Sequence, residues 1–347
     1  MPVIGIVGMQ YGSEGKGVIA ELLGHISRVA IRIGGPNAGH TIDYKGTKYV
    51  MRHIPCAWTN PECKLLIGPA GLINSSVLRE EIEMVEEALG SSLGERLFIH
   101  ERVIPIMKEH EEAEAPLGEK IGSTREGVGA ATAERAWRRA DTIRGLIAKD
   151  GDYTWLKPYI ISHEEYLSLV HDVHDQGYTI LLEGTQGYGL SLYHGPYPFC
   201  TSRDTTIASL AGGCGIAPSM IIHTIGVVRT FPIRVAGNSG PLPYETSFQS
   251  IGREPEHTTV TKKVRRIARF DWKMFKEAVR VNRPNILAVT FLDYLNTNAT
   301  QNAFVRELYE SCGVRIGYLG KGPDTFELNH ILFKAALERK NRRFENE

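Results

Sequence analysis

The sequence predicts an α/β protein: a large, mainly parallel central sheet with helices on both sides and a P-loop-like phosphate loop after the first strand. Three observations carry this. Val3–Val7 is an apolar run of strand length that breaks into Gly8-Met9-Gln10-Tyr11-Gly12-Ser13-Glu14-Gly15-Lys16-Gly17 and then into the helix-like Val18–Leu23, closed by Gly24. Short apolar runs recur at Val29–Ile33, Leu65–Ile67, Leu97–Ile99, Thr179–Leu182 and Ile286–Val289, as strands buried on both faces require. Helical patterns lie between them. Ser75–Leu89 puts Leu78, Ile82, Val85 and Leu89 on one face, Ala130–Ala148 is rich in Ala and Arg, and Trp272–Val281 follows a basic loop.

The 347 residues suffice for a sizeable core, and without repeats, linkers or shifts in composition they read as one domain, 1–347. Forty Lys+Arg balance forty Asp+Glu, so net charge gives no case for sequence-independent nucleic-acid binding. No run approaches the ~18 apolar residues of a membrane span. Met1–Gly5 lacks the charged start of a secretory signal, and five scattered cysteines without a CxxC pair argue against a disulfide framework or structural zinc. The expectation is a soluble cytoplasmic protein with neither nucleic-acid nor membrane partners. The charged stretch Lys108–Glu114 reads as a solvated face, and Glu338–Glu347 as a frayed helix end.

Chemistry gathers in the loops. Successive N–H groups in a glycine turn, with the positive end of the next helix, cradle phosphate, and Lys16 adds a mobile charge at the entrance. The pattern is not a Walker A loop: Gln10 replaces its first glycine and Gly17 stands where Ser or Thr would hold magnesium. Gly34–Thr41 follows the next strand, and within it glycine flanks His40, whose imidazole is placed to reach a bound phosphate. Glu183-Gly184-Thr185-Gln186-Gly187 follows a third strand and runs on to Thr201 and Ser202, suggesting one crevice at the carboxyl edge of the sheet. Ile121–Gly129 opens another helix as a second phosphate site. Thr258–Arg266 carries four cations in five positions, 262–266, and Arg265 there suits a carboxylate.

Together these clusters resemble the adenylosuccinate synthetase family, whose motifs recur in order as QxGxEGKG, NAGHT, STxxGxG, EGTQG with YPFxTS, and the arginine loop ahead of Phe270-Asp271-Trp272. The resemblance implies a homodimeric, magnesium-dependent C–N ligase. A nucleoside triphosphate phosphorylates the purine O6 while a carboxylate takes the N1 proton, and the aspartate amine then displaces phosphate. It further implies a triphosphate site of Ser13, Glu14, Gly15, Lys16, Gly17, Gly39, His40, Thr41, Arg265, Phe291, Leu292, Asp293 and Gly322. The acceptor nucleotide would meet Ser13, Asn37, Ala38, Thr124, Gln186, Thr201 and Lys263, with Arg138 lent by the partner subunit. Aspartate falls to Thr259, Val260, Thr261, Lys262, Lys263 and Arg265. Mg2+ falls to Ser13 and the Gly39 carbonyl, and catalysis to Ser13, Lys16 and His40.

Three departures narrow the expectation. The family's general base is an aspartate immediately before Glu14, and Ser13 stands there; a hydroxyl of ordinary pKa is no base at neutral pH. Loss of that aspartate resembles a phage subgroup that acts on dGMP, where a shorter side chain leaves room for the 2-amino group. The N1 proton then goes to water or to the substrate aspartate. Lys263 replaces the arginine that would contact a ribose 2′-hydroxyl, which suits deoxyribose. The TKxD of GTP-using relatives becomes Thr290-Phe291-Leu292-Asp293, favouring ATP or dATP with GTP left open. The expected reaction therefore joins dGMP to L-aspartate at the expense of ATP. The alternatives are IMP with GTP, or a nucleotide-binding switch without catalysis.

Overall fold

The computed structural model describes residues 3–258, 262–322 and 325–344. Its central sheet is built from β1 (Val3–Gly8), β2 (Ser27–Arg32), β3 (Lys64–Ile67), β4 (Leu97–His100), β5 (Ile160–Ile161), β6 (Thr179–Glu183), β7 (Ile221–Arg229), β8 (Ile286–Thr290), β9 (Arg315–Gly320) and β10 (Phe326–Leu328). The order is β10-β9-β8-β7-β1-β6-β2-β3-β4-β5, parallel throughout except for the β9–β10 pair. This is the predicted fold class.

Parallel strands must be covered on both faces, and β1 shows how the sequence arranges it: Ile4 and Ile6 point into one apolar cluster, Val3 and Val7 into the other. Helices Lys16–Gly24 and Ile331–Phe344 flank the first face. Helices His163–Asp175, Trp272–Asn282 and Asn298–Cys312 flank the second. Registers put Ile6 beside Glu183, Glu183 beside Arg32, and Arg229 beside Thr290, so the loops after β1, β2, β6, β7 and β8 open on one carboxyl edge.

Three expectations change. Ala130–Ala148 is two helices, because Val128–Trp137 ends at Arg138 in a left-handed conformation (φ 61°) and Thr142 caps a new one, Ile143–Lys149, through Gly145 N at 3.2 Å. Lys108–Glu114 is not wholly a solvated face. His110 and Glu114 are buried, and the Glu114 carboxylate accepts from Gly127 N, Gly129 N and Ala130 N, satisfying open amides at the start of helix Val128–Trp137. The C-terminal helix is docked rather than frayed as far as Arg343: Lys340 Nζ lies 2.7 and 2.8 Å from the buried Glu21 carboxylate, and Arg343 bonds Asn60 and Glu62, while 345–347 of the expected frayed end lie outside the described residues. Among the described residues no helix is long and apolar enough to cross a membrane.

Candidate active site

The loop after β1 is shaped from inside. Glu14 is fully buried; its Oε1 accepts from Gln10 N at 3.1 Å and Gly12 N at 2.9 Å, and its Oε2 receives Lys16 Nζ at 2.5 Å. Gly15 (φ 84°) opens helix Lys16–Gly24 without a side-chain cap, leaving first-turn amides for an anion. Ser13 is exposed and left-handed (φ 58°), a conformation costing a non-glycine residue about 1–2 kcal/mol. Two arginines hold it there. Arg229 Nη1 donates to its carbonyl at 3.1 Å, and Arg265 Nη1 donates to its hydroxyl.

Gly17 shows why this position is neither Ser nor Thr. A Cβ there would lie 2.8 Å from the Thr41 carbonyl oxygen and 3.0 Å from His40 Cβ. Glycine lets the first helix pack against the hairpin of His40–Tyr44 with Thr47–Met51, which brings His40 and Lys16 to the same cleft. His40 Nδ1 lies 2.6 Å from Glu183 Oε1, while Arg32 Nη1 and Cys56 N each donate to that carboxylate at 2.7 Å. These partners outweigh burial and hold Glu183 down to about 2. Burial and the nearby Arg32 push His40 down to about 4, so it is neutral at pH 7. An ionised Glu183 only accepts, so Nδ1 carries the hydrogen and Nε2 is the ring atom left for a ligand. Arg32 Nη2 also donates to Ala38 O at 2.7 Å, pinning the Asn37–His40 turn.

The crevice has two adjoining chambers of about 270 and 630 Å³. The first gathers Ser13, Lys16, Asn37, Ala38, Gly39, His40, Thr124, Gln186, Lys263 and Arg265. The second shares Asn37, Thr124 and Gln186 and extends to Thr201. Tyr11, Arg125 and Val235 also line the first chamber. Tyr11 and Arg125 stand inside the glycine clusters that the sequence singled out, yet nothing in the local pattern marks which members of a cluster turn their side chains into the cleft. Glu14 and Gly17 lie beneath the loop. Thr41 is exposed on the hairpin, Lys262 is exposed and left-handed, and Gly322 stands after β9. Thr259, Val260 and Thr261 lie outside the described residues. Arg138 is exposed at a helix end and lines neither chamber.

Past β8, Thr290 Oγ1 donates to Glu14 O at 2.7 Å and Leu292 is buried. Phe291 has one face covered by the Arg229 guanidinium, 3.9 Å from the ring centre, so only its remaining surface is left for a base. Asp293 Oδ2 is 3.9 Å from Arg253 Nη1.

Fold and site define a class: an α/β enzyme that handles phosphorylated ligands where glycine loops meet a lysine and a carboxylate-held imidazole. The adenylosuccinate synthetase family model matches residues 5–153 and 153–319. The adenylosuccinate synthetase of Pyrococcus sp. (strain ST700) is 36% identical over 96% of this chain and 98% of its own length. That of Methanococcus maripaludis (strain C7) is 34% identical over 92% and 96%. Among solved structures, cyanophage S-2L succinoaminodeoxyadenylate synthetase (PurZ), bound to dGMP and dATP as an energy donor, superposes with a TM-score of 0.83, 30% identity and 99% coverage of both chains. The fully ligated Plasmodium falciparum adenylosuccinate synthetase shares the fold, with a TM-score of 0.86 at 20% identity over 95% of this chain and 100% of its own. The chain belongs to the adenylosuccinate synthetase family and is a C–N ligase of that type.

Proposed function

We propose that this ligase condenses dGMP with L-aspartate, driven by ATP or dATP, to give 2-amino-2′-deoxy-N6-succinyladenylate. One observation carries the reading: at the mouth of the phosphate loop the lining side chain is the short Ser13, and the adjacent carboxylate, Glu14, is turned inward under Gln10 and Gly12. A guanine brings an amino group at C2 beside N1, and a hydroxyl leaves more room there than a carboxylate while still bonding the base edge. The likeness to a cyanophage enzyme bound to dGMP and dATP supports it. The second reading, IMP as acceptor, is supported by the curated relatives, which are named adenylosuccinate synthetases.

In the proposed mechanism Lys16 and the loop amides hold the triphosphate, and the guanine O6 attacks its terminal phosphorus, breaking the bond to the bridging oxygen and releasing ADP or dADP. Neutral His40 gains a proton as the phosphates arrive, because their charge raises its pKa, and then donates from Nε2 to a phosphoryl oxygen. The N1 proton leaves to water or to the carboxylate of the substrate aspartate, since the cleft offers no free carboxylate at Ser13. The aspartate amine, its carboxylate gripped by Arg265, adds at C6 and expels phosphate. Asn37, Thr124, Gln186 and Thr201 orient the acceptor, and Lys263 faces its sugar. The Gly39 carbonyl is a hard oxygen in the same chamber and fits Mg2+, whereas the Ser13 hydroxyl already accepts from a guanidinium and fits it less well. Mg2+ held with the triphosphate would offset charge on the transferring group. The exposed Arg138 is available to the neighbouring site of a homodimer.

The test is aspartate-dependent phosphate release with dGMP, GMP, IMP and dIMP in turn. The proposal requires dGMP to give the highest kcat/KM, and strict dependence on IMP would leave the second reading in its place.

A further inference from the structure

Arg229 lies outside every motif that pointed to the site, yet it is fully buried behind Ser13. Its backbone is clamped by the Gln10 side chain, which accepts from Arg229 N and donates to Arg229 O, each at 3.0 Å. Its guanidinium does three things at once. Nη1 donates to Ser13 O at 3.1 Å; Nη1 (3.3 Å) and Nη2 grip the Glu256 carboxylate; and the plane lies 3.9 Å over Phe291. Glu256 in turn accepts from the Tyr294 hydroxyl at 2.8 Å, and its peptide oxygen accepts from Arg265 N at 2.8 Å. Arg265 returns to the start by donating to the Ser13 hydroxyl.

We infer that Arg229 is a positioning residue: it closes a hydrogen-bonded ring, Arg229–Ser13–Arg265–Glu256, that sets the acceptor-facing hydroxyl and the cation for the amino-acid carboxylate in one fixed relation, braced against the donor-side Phe291. The inference rests on the reading of Ser13 as facing the acceptor base and of Arg265 as meeting aspartate. A closed ring has no slack, so displacing one member moves the others. Ser13 needs such restraint because its left-handed backbone is not the resting state of a serine. Only a guanidinium meets all three demands together: a bidentate carboxylate, a carbonyl and an aromatic face. A lysine keeps the charge but offers neither the fork nor the plane. Arg229 itself lines neither chamber, so it acts through Ser13 and Arg265 and not on the reacting atoms.

The test uses full-length Arg229→Lys, Arg229→Met and the double variant Arg229→Met/Glu256→Gln, which leaves no unpaired buried charge and so remains the informative protein if the single variant fails to fold. Folding is checked by circular dichroism. Aspartate KM, acceptor KM, kcat and donor affinity are then measured separately. The ring predicts that the folded double variant raises aspartate KM about tenfold and loses much of its preference among acceptor purines, while donor affinity changes little. Arg229→Lys should fail to rescue either quantity. A merely structural role would lower the melting temperature, leave aspartate KM and acceptor preference unchanged, and be rescued by lysine; that result overturns the inference. The wild-type acceptor preference tests the proposed function separately, because the aspartate KM shift is expected with whichever purine proves to be the substrate.

Discussion

Replacing Glu183 with Gln tests the polar heart of the site while preserving its shape. Glu183 is fully buried at the end of β6, with His40, Arg32 and Cys56 N all directed at its carboxylate. Its pKa is held at about 2 against the ordinary 4.5, a stabilisation of about 3 kcal/mol above pH 4.5. The sign follows from the depressed value: that contribution is complete above pH 4.5 and drains away as pH falls toward 2. Breaking a buried pair by removing one charge costs a similar ~3–5 kcal/mol, so two routes agree on size. Glu183→Gln should therefore lower the melting temperature by roughly 4 °C at pH 7 and flatten the acid limb of the stability curve. It should also lower kcat about 10²-fold with little change in donor KM, because His40 exchanges an ionised, acceptor-only partner for a neutral amide that can present either its oxygen or its NH2, so tautomer and orientation are no longer fixed and an imidazolium is no longer stabilised. Differential scanning calorimetry from pH 7 to pH 3, beside phosphate-release kinetics, measures both. A melting temperature equal to that of the wild type would refute the buried-pair account, and an unchanged kcat would refute the coupling of Glu183 to chemistry.

Four other outcomes are expected. Lys16→Ala should abolish turnover while leaving a folded protein, seen as lost phosphate release with an unchanged circular dichroism spectrum; it also strands Glu14, so the variant should melt earlier. Ser13→Asp should pair with Arg265 and crowd the 2-amino group, cutting kcat/KM for dGMP by about tenfold or more and improving IMP; a rise with dGMP would contradict the role assigned to Ser13. Glu114→Ala should expose the amides of Gly127, Gly129 and Ala130 beneath the second chamber, costing about 1–3 kcal/mol in urea unfolding and raising acceptor KM. Chelation of divalent ions with EDTA should stop phosphate release and be reversed by Mg2+.

Much of the fold was legible because parallel strands buried on both faces are nearly continuous apolar runs, as at Val3–Val7 and Ile286–Val289. Two long strands that escaped notice carry interruptions, while β5 and β10, of two and three residues, are too short to read as runs. β7 has His223, Thr224 and Gly226 within it, and β9 has Gly317 and Gly320, so neither reads as an apolar run although neighbouring strands bury most of each. Glycine loops announced the turns that line the cleft, since backbone that turns sharply or packs closely leaves a local mark. The supporting polar residues left none. Arg229 and its partner Glu256, and Arg32 and its partner Glu183, stand far apart in sequence and are brought together only by the strand order β7-β1-β6-β2 and the loops at its carboxyl edge. The charge run Lys108–Glu114 misled for the same reason: whether Glu114 faces water or a helix end depends on a partner at Gly127 to Ala130, which local pattern does not encode.

The account turns on which purine fits beside Ser13. Equimolar dGMP and IMP, incubated with the enzyme, L-aspartate, ATP and Mg2+, compete for one site, and mass spectrometry of the succinylated nucleotides reads the choice directly. The account predicts that the product derived from dGMP predominates from the earliest time points. Adenylosuccinate as the dominant product would contradict it.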